Sequence, residues 1–145
     1  MKTRFEAADT GFVQRVRESF ARQSVMRMIG GHLVLVEPGL VEIEIPMRAD
    51  LTQQDGYMHA GIVTTVLDSA CGYAAHSLMP ADASVLSVEF KVNLLAPAKG
   101  ELIKARAEVK RPGRTLTVCS ADAFADGNLC ATMLATMICM QRSKR

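Results

Sequence analysis

The 145-residue sequence predicts an α+β domain in which a curved antiparallel sheet wraps around one central, mostly apolar helix. Residues 60–78 are almost wholly apolar, and a helix of that composition has to be covered on most of its sides. Four strand patterns follow with hairpin-type connections, which favours an antiparallel sheet. Such a sheet must bury its apolar face, and the helix is the element that can cover it.

The elements before the central helix are a helix, a hairpin and a loop. Residues 10–28 carry apolar side chains at helical spacing among Arg, Gln and Glu, so we expect one amphipathic helix that Gly30-Gly31 ends. Residues 32–46 read HLVLVEPGLVEIEIP, in which a Pro-Gly tight turn joins two strands. Residues 47–58 are expected to form a polar loop that leads into the central helix.

The four later strands follow a two-residue alternation. In the first, Leu86, Val88, Phe90, Val92 and Leu94 are expected on one face and Ser87 on the other. The next three are predicted over residues 103–110, 115–125 and 128–140. A two-residue turn at Asp126-Gly127 would set Cys119 opposite Leu134 and Cys130 opposite Ala123. We expect residues 1–145 to be one domain, with the N-terminal helix of residues 1–29 as part of it.

The composition makes several classes of protein poor candidates. The chain has 17 basic and 15 acidic residues spread along its length, and it lacks the basic stripe that grips a nucleic acid. Its N-terminus mixes charges of both signs, and its apolar stretches are too interrupted to span a membrane. The four cysteines show no CxxC pairing and no histidine at metal-ligand spacing. We therefore expect a cytoplasmic protein with reduced thiols, without a metal site, a nucleic-acid partner or a membrane partner.

One acidic residue, Asp68, lies in the middle of the apolar helix. Between Met58 and Met79 there is no other acid and no Lys or Arg. Burying a carboxylate without a partner costs several kcal/mol, so Asp68 needs either a structural partner or a function. The hydroxyls of Thr64, Thr65 and Ser69 are the candidates for a purely structural partner.

The start of the same helix is the second candidate site. The backbone amides at His59, Ala60 and Gly61 precede the first helical hydrogen bonds and lie at the positive end of the helix dipole, so they can polarise a carbonyl. Asp68 comes nine residues after His59, which is about 13 Å along the axis and roughly on the opposite face. Two antiparallel copies of the helix could bring amide and acid together, which predicts a homodimer with two composite sites. An amide opposed to an acid suits hydrolysis of an activated acyl group.

Two segments resemble a known family. The stretch GYMHAGIVTTVLDSACGYAA, residues 56–75, resembles the helix start and acidic segment of the hotdog-fold acyl-CoA thioesterases, in particular the PaaI-like branch related to the 4-hydroxybenzoyl-CoA thioesterases. The stretch VEFKVNLLAPAKGELIKARAEV, residues 88–109, is similar to the third and fourth strands of that branch. The resemblance covers the chain from about residue 32 onward. It implies a thioester hydrolase whose minimal unit is a dimer and which by family habit is a tetramer, with no cofactor because coenzyme A is part of the substrate.

The resemblance also implies catalytic residues. The amide of Ala60 would polarise the thioester carbonyl, and the small residue Gly61 would leave the helix start open. Gln53 would bind the carbonyl or orient water, and Asp68 of the facing subunit would act as a general base or a nucleophile. This chain has Ala60 where the family usually has glycine, so the amide can act only if the acyl group clears the added methyl.

Four further residues are predicted to bind substrate. His59 either caps the helix start or contacts the substrate. Ser87 can assist the acid or water, and Arg111 and Arg114 can bind the coenzyme A phosphates. The acyl group is left open between an aryl or arylacetyl group and a medium-chain fatty acyl group. Two other functions on this scaffold are a non-hydrolytic acyl-CoA-binding or regulatory module and a hydratase or dehydratase.

Overall fold

The computed structural model describes residues 4–141, and the ends of the predicted domain, residues 1–3 and 142–145, lie outside the described residues. The chain forms a six-stranded sheet in which every pair of neighbours is antiparallel, in the order β1-β2-β4-β5-β6-β3. The helices are α1 (Phe12–Ala21), α2 (Ser24–Ile29) and α3 (Ala60–His76), and a short 3-10 turn spans Ala49–Leu51. The strands are β1 (His32–Glu37), β2 (Leu40–Pro46), β3 (Ala83–Leu94), β4 (Leu102–Arg111), β5 (Leu116–Ala125) and β6 (Asn128–Gln141).

Helix α3 packs on the inner face of the sheet, and this confirms the predicted α+β architecture. Its apolar side, with Val66, Leu67 and Ala70, is fully buried. The facing positions of the sheet are largely small, because β4, β5 and β6 place buried alanines there, and small side chains let the helix axis approach the strands closely. These alanines are Ala105, Ala107, Ala121, Ala123, Ala131 and Ala135.

One stripe of α3 is not covered by the sheet. It consists of Gly61, Thr65, Asp68 and Gly72, which follow one another at the three- or four-residue spacing of a helix face, and all four are partly or fully exposed. A Cβ added at Gly72 would contact nothing within 4 Å. The prediction of a helix buried on most sides is therefore confirmed, and this stripe is the side that the sheet leaves open.

The predicted N-terminal helix is divided in two. Helix α1 ends at Ala21, and Gln23 adopts an extended backbone (φ −78°, ψ 100°) before α2 begins. The break changes the direction of the chain, so that Val16 of α1 and Ile29 of α2 both reach the core. Gly30 ends α2 with a left-handed backbone (φ 75°), as the sequence predicted.

The hairpin of β1 and β2 has one apolar and one charged face. Val41, Ile43 and Ile45 are fully buried, which confirms the predicted alternation. On the outer face, Glu42 pairs with Lys104 (3.6 Å) and with Arg106 across the β2–β4 ladder.

Strand β3 contains a bulge that changes which side chains face inward. Ser87 pairs with Met137 and Glu89 with Thr136, so Val88 has no counterpart on β6. Because Met137 is fully buried on the inner face, Ser87 faces inward, and Phe90 faces inward as well, opposite the buried Ala135. The predicted strict alternation, with Ser87 opposite in direction to Phe90, is therefore wrong.

The β5–β6 hairpin has its predicted turn and a different register. Both turn residues, Asp126 (φ 46°) and Gly127 (φ 83°), have the positive φ of a tight two-residue hairpin turn. A register shift between Ala123 and Phe124 then places Cys119 opposite Ala135 instead of Leu134. The sequence predicts Ala123 opposite Cys130, but in the structure Ala123 lies opposite Ala131.

All four cysteines are free thiols, and their environments predict an order of reactivity. Burial, reinforced by the neighbouring Cys119 and Asp68, raises the pKa of Cys71, and burial raises the pKa of Cys119 to about 12. At pH 8, only about one Cys119 thiol in 10⁴ would be the reactive thiolate. We expect iodoacetamide to modify the partly exposed Cys139 first and to reach Cys71 and Cys119 only after unfolding, as measured by peptide mass spectrometry. Rapid modification of Cys71 in the native protein would contradict this packing.

Within residues 4–141, no helix is both long and apolar enough to cross a membrane.

Candidate active site

Asp68 lies on the uncovered stripe of α3 and accepts one short hydrogen bond. The Ser87 hydroxyl donates to Asp68 Oδ1 at 2.6 Å. The bulge at Val88 makes this contact possible, because it lets Ser87 face inward together with Phe90, Val92 and Leu94. The structure thus brings together two predicted site residues that lie 19 positions apart in the chain.

The three hydroxyls that could have satisfied Asp68 locally are all engaged elsewhere. Thr64 and Thr65 donate to backbone carbonyls one turn earlier in α3, at 2.8 Å each. Ser69 donates to Gln23 Oε1 at 3.2 Å. Asp68 is therefore not closed off by its own helix, and its half-buried carboxylate lines a cavity of about 450 Å³, which we call the acid cavity.

The start of α3 offers one free amide. Gly61 N–H donates to His59 Nδ1 at 2.9 Å, and Ile62 N–H donates to the His59 carbonyl at 2.9 Å. Within residues 4–141, Ala60 N–H has no hydrogen-bond partner. Of the three amides that the sequence singled out, Ala60 is available to a ligand, whereas His59 N–H donates to the Leu51 carbonyl at 2.9 Å and the expected open amide at Gly61 is capped by the His59 imidazole. Since Nδ1 accepts this bond, the proton of a neutral His59 lies on Nε2.

Gln53 is oriented by its own loop. Its Oε1 accepts from Asp55 N–H (2.6 Å) and from Tyr57 N–H (3.1 Å). These two bonds fix the side-chain oxygen toward the loop and leave the NH₂ group with only a long contact to Asp55, 3.5 Å. The group that Gln53 can offer to a ligand is therefore a donor, as carbonyl binding requires.

Ala60 and Gln53 line a second cavity of about 390 Å³, which we call the amide cavity. Its other walls are mainly apolar and include Val63, Leu94 and Leu95. Asp68 lines the acid cavity and not this one. In one protomer the amide and the acid thus belong to separate cavities, as the helix geometry predicted.

Arg111 and Arg114 lie apart from both cavities. Arg111 ends β4 and Arg114 lies in the turn that precedes β5, where both are exposed. Neither residue lines the acid cavity or the amide cavity. The structure therefore does not bring them to the site in one protomer, and their role toward coenzyme A stays a prediction.

Sequence reasoning missed the α1–α2 wall of the acid cavity. Ser19, Arg22 and Gln23 line it from this side, and Tyr73 lines it from α3. Gln23 reaches the cavity because the chain leaves its helical path there. The signal in the sequence was a run of polar residues between two apolar patterns, which is equally typical of a solvated helix face.

An antiparallel sheet around a central helix, with a free amide at the helix start and an acid in its middle, defines the class of hotdog-fold proteins. Within this class, the chain belongs to the Thioesterase superfamily, whose sequence profile matches residues 55–132. A crystal structure of a thioesterase family protein from Silicibacter pomeroyi is 56% identical, with a TM-score of 0.88 over 91% of this chain and 100% of that one. A Halobacterium salinarum protein designated a candidate esterase is 31% identical over 80% of this chain and 78% of its own length. Membership of this superfamily and the names of these similar proteins support a hydrolase activity.

The fold is shared with more distant proteins. The Escherichia coli PaaI protein of the phenylacetic acid degradation operon is 14% identical, and its structure has a TM-score of 0.82 over 89% of this chain and 93% of that one. At this identity the likeness shows the common fold, and it confirms the fold that the resemblance implied.

Proposed function

We propose that the protein is an acyl-CoA thioesterase that acts as a homodimer with two composite active sites. Each site combines the amide cavity of one protomer with the acid cavity of its partner. Coenzyme A is part of the substrate, and the reaction needs no other cofactor. We place the enzyme in the cytoplasm, and we expect two dimers to associate into a tetramer.

The free edge of β3 supports the dimer. This strand lies at one end of the sheet, and no strand among the described residues pairs with its other edge. Four apolar side chains of this strand are between 43% and 57% exposed, namely Leu86, Val88, Phe90 and Leu94. An apolar edge strand that is left uncovered is prone to pair with another chain. Pairing of two β3 strands about a twofold axis would cover them.

The uncovered stripe of α3 supports the same arrangement. Extending the sheet through β3 would bring the two α3 helices side by side on the inner face, in antiparallel directions. Small residues such as Gly61 and Gly72 permit a close helix–helix approach there. The start of one α3 would then face Asp68 of the other.

The proposed chemistry follows from this juxtaposition. The thioester carbonyl oxygen would accept hydrogen bonds from Ala60 N–H and the Gln53 NH₂ group of one protomer, and both donors stabilise the oxyanion that forms in the transition state. Asp68 of the partner would act as a general base toward water or as a nucleophile on the carbonyl carbon. Ser87 would hold the carboxylate in position. The carbon–sulfur bond breaks, and the leaving sulfur takes up a proton to give the coenzyme A thiol. The acyl group is released as a carboxylic acid, directly when water attacks or after water hydrolyses the acyl–Asp68 anhydride.

The observation that carries the proposal is the state of Asp68. Within residues 4–141 its carboxylate accepts a side-chain hydrogen bond only from Ser87, and it opens onto a cavity although three hydroxyls closer in sequence could have satisfied it. An acid kept accessible in this way suits a reacting group. A module that only binds acyl-CoA needs no such acid, since a carboxylate would repel the phosphates and add no contact to an apolar acyl group.

The experiment that tests the proposal is a steady-state assay of coenzyme A release. A panel of aryl-CoA, arylacetyl-CoA and medium-chain acyl-CoA thioesters is assayed with a thiol reagent. We expect at least one thioester to be hydrolysed with kcat/KM of about 10⁴ M⁻¹s⁻¹ or more. Tight binding of acyl-CoA without release, measured by calorimetry, would favour a binding module. Conversion of a 3-hydroxyacyl or enoyl thioester with the thioester bond intact would indicate a hydratase.

Removal of the Ser87 hydroxyl is expected to reduce turnover without abolishing it. The Ser87→Ala variant loses the 2.6 Å bond that positions Asp68, and bonds to charged groups contribute about 1.5–3 kcal/mol, so we expect kcat to fall by roughly ten- to a hundredfold. Ser87→Thr keeps a hydroxyl and should restore part of the rate. Equal activity of Ser87→Ala and wild type would show that the bond has no catalytic role.

A further inference from the structure

The loop that carries Gln53 is anchored at its base and exposed at its tip. At the base, Leu51 (7% exposed) and Met58 (3% exposed) are buried, and His59 N–H donates to the Leu51 carbonyl at 2.9 Å. The tip, residues 54–57, is exposed. Burial therefore holds the base of the loop, and hydrogen bonds within the loop have to determine the conformation of its tip.

Gln53 makes these hydrogen bonds with its backbone and with its side chain. Its backbone N–H donates to the Tyr57 carbonyl at 2.8 Å, and its carbonyl accepts from Gly56 N–H at 3.0 Å. Its side-chain Oε1 accepts from the backbone N–H groups of Asp55 and Tyr57. Because both of these partners are donors, the atom that faces them is the oxygen and not the NH₂ group. The loop itself thus orients the side-chain amide of Gln53, which lines the amide cavity together with Ala60.

Gly56 allows this closure of the loop through its backbone conformation. It lies between Asp55 and Tyr57 and has a φ of 85°, which residues with a Cβ rarely adopt. A Cβ added at Gly56 would meet nothing within 4 Å, so the backbone conformation, and not a lack of space, favours glycine here. With an ordinary negative φ at residue 56, the next peptide would turn, and Tyr57 N–H would no longer reach Gln53 Oε1.

We infer that Gly56 is a positioning residue, which holds the Gln53 NH₂ group in place as a donor to the oxyanion. The inference rests on the proposed function, in which Gln53 and Ala60 N–H stabilise that oxyanion together. A donor fixed in advance needs no reorganisation when the charge develops, whereas a mobile amide would first have to be ordered. Gly56 does not line the amide cavity and acts through Gln53, so its replacement should lower kcat more than it changes KM.

The test replaces Gly56 and a matched glycine outside the site. Gly127 in the β5–β6 turn has nearly the same φ of 83°, and a Cβ added there would also meet nothing within 4 Å. We expect Gly56→Ala to lower kcat by about ten- to a hundredfold with little change in KM, as partial loss of one oxyanion donor requires. Gly127→Ala introduces similar strain elsewhere and should keep the wild-type kcat. Gly56→Asn should restore most of the rate, since asparagine tolerates a positive φ.

Two further measurements separate positioning from a general loss of stability. In the Gln53→Glu background the side chain can still accept both loop N–H groups but cannot donate, so Gly56→Ala should have almost no further effect on kcat. Hydrogen exchange measured by NMR reports on the loop without any substrate. We expect the protection of Tyr57 N–H to fall by about tenfold in Gly56→Ala and to stay unchanged in Gly127→Ala.

Each of three kinetic results would overturn the inference. Wild-type kcat in Gly56→Ala would show that Gln53 does not depend on this backbone conformation. Equal losses of kcat in Gly56→Ala and Gly127→Ala would assign the loss to stability. A full further loss in the Gln53→Glu background would show that Gly56 acts through another group. Failure of the proposed function is distinct, because the wild type then hydrolyses no thioester, while the exchange of Tyr57 N–H still decides whether Gly56 holds the loop.

Discussion

The Asp68→Asn variant is expected to lose turnover by about 10²–10⁴-fold in kcat, since an amide can neither accept the proton of water nor attack a carbonyl. Asparagine has nearly the same shape and can still accept a hydrogen bond from Ser87, and the site is half-buried, so we expect the fold to be unchanged. The measurement is kcat with the best thioester of the panel, together with the thermal unfolding midpoint. Asp122→Asn, on an exposed position of β5, is the matched control and should be as active as wild type.

Two outcomes would contradict the assigned role of Asp68. If Asp68→Asn keeps both the wild-type kcat and the wild-type KM, another group activates water, and the acid is structural. If kcat is unchanged and only KM rises, Asp68 contributes to binding the substrate and the transition state equally.

The second large effect is expected from Ala60→Pro, which deletes the free amide hydrogen of α3. Proline is well tolerated at the first position of a helix, and the extended backbone of His59 (φ −58°, ψ 133°) is the conformation that a residue before proline prefers. The variant should therefore fold and lack one donor to the developing oxyanion, with a loss of about 10²–10³ in kcat. Ala60→Gly keeps the N–H and is the control.

Mixing the two inactive variants tests the composite site directly. If Asp68→Asn and Ala60→Pro chains are refolded together in equal amounts, about half of the dimers contain one chain of each kind, and each mixed dimer has one intact site out of two. The mixture should regain about a quarter of wild-type activity, although neither variant alone is active. A site built within a single chain would show no recovery. Ala60→Pro with the activity of Ala60→Gly would mean that this amide does not stabilise the transition state.

Much of the fold could be predicted because it depends on patterns that residue types determine. The apolar run of α3 and the alternation in β2 and β4 follow from the burial of one face, so Ile43 and Ile103 are buried as expected. The glycine in the Asp126-Gly127 turn and Gly30 at the end of α2 are signals with a conformational cause, namely a positive φ. Asp68 could be identified because a carboxylate is costly to bury in an apolar helix and therefore indicates a structural partner or a function.

The remaining features depend on packing that residue types do not encode. Val88 and its neighbours read as a regular strand, because a bulge adds one residue without changing composition. The break at Gln23 contains neither proline nor glycine, so no local residue type signals it, and Val16 before it and Ile29 after it are both fully buried. Whether His59 caps Gly61 depends on the side-chain rotamer, and this contact decides which of two adjacent amides is free.

The extra residue in β3 means that the chemistry of this chain depends on how many residues precede Phe90 as well as on which ones they are. Deleting Val88 would place Ser87 two positions before Phe90, so a regular strand would then keep both side chains on the inner face. Regular pairing with Val88 retained would instead turn either Ser87 or the apolar residues after it to the outer face, so the position of the serine depends on the bulge and not on residue type alone.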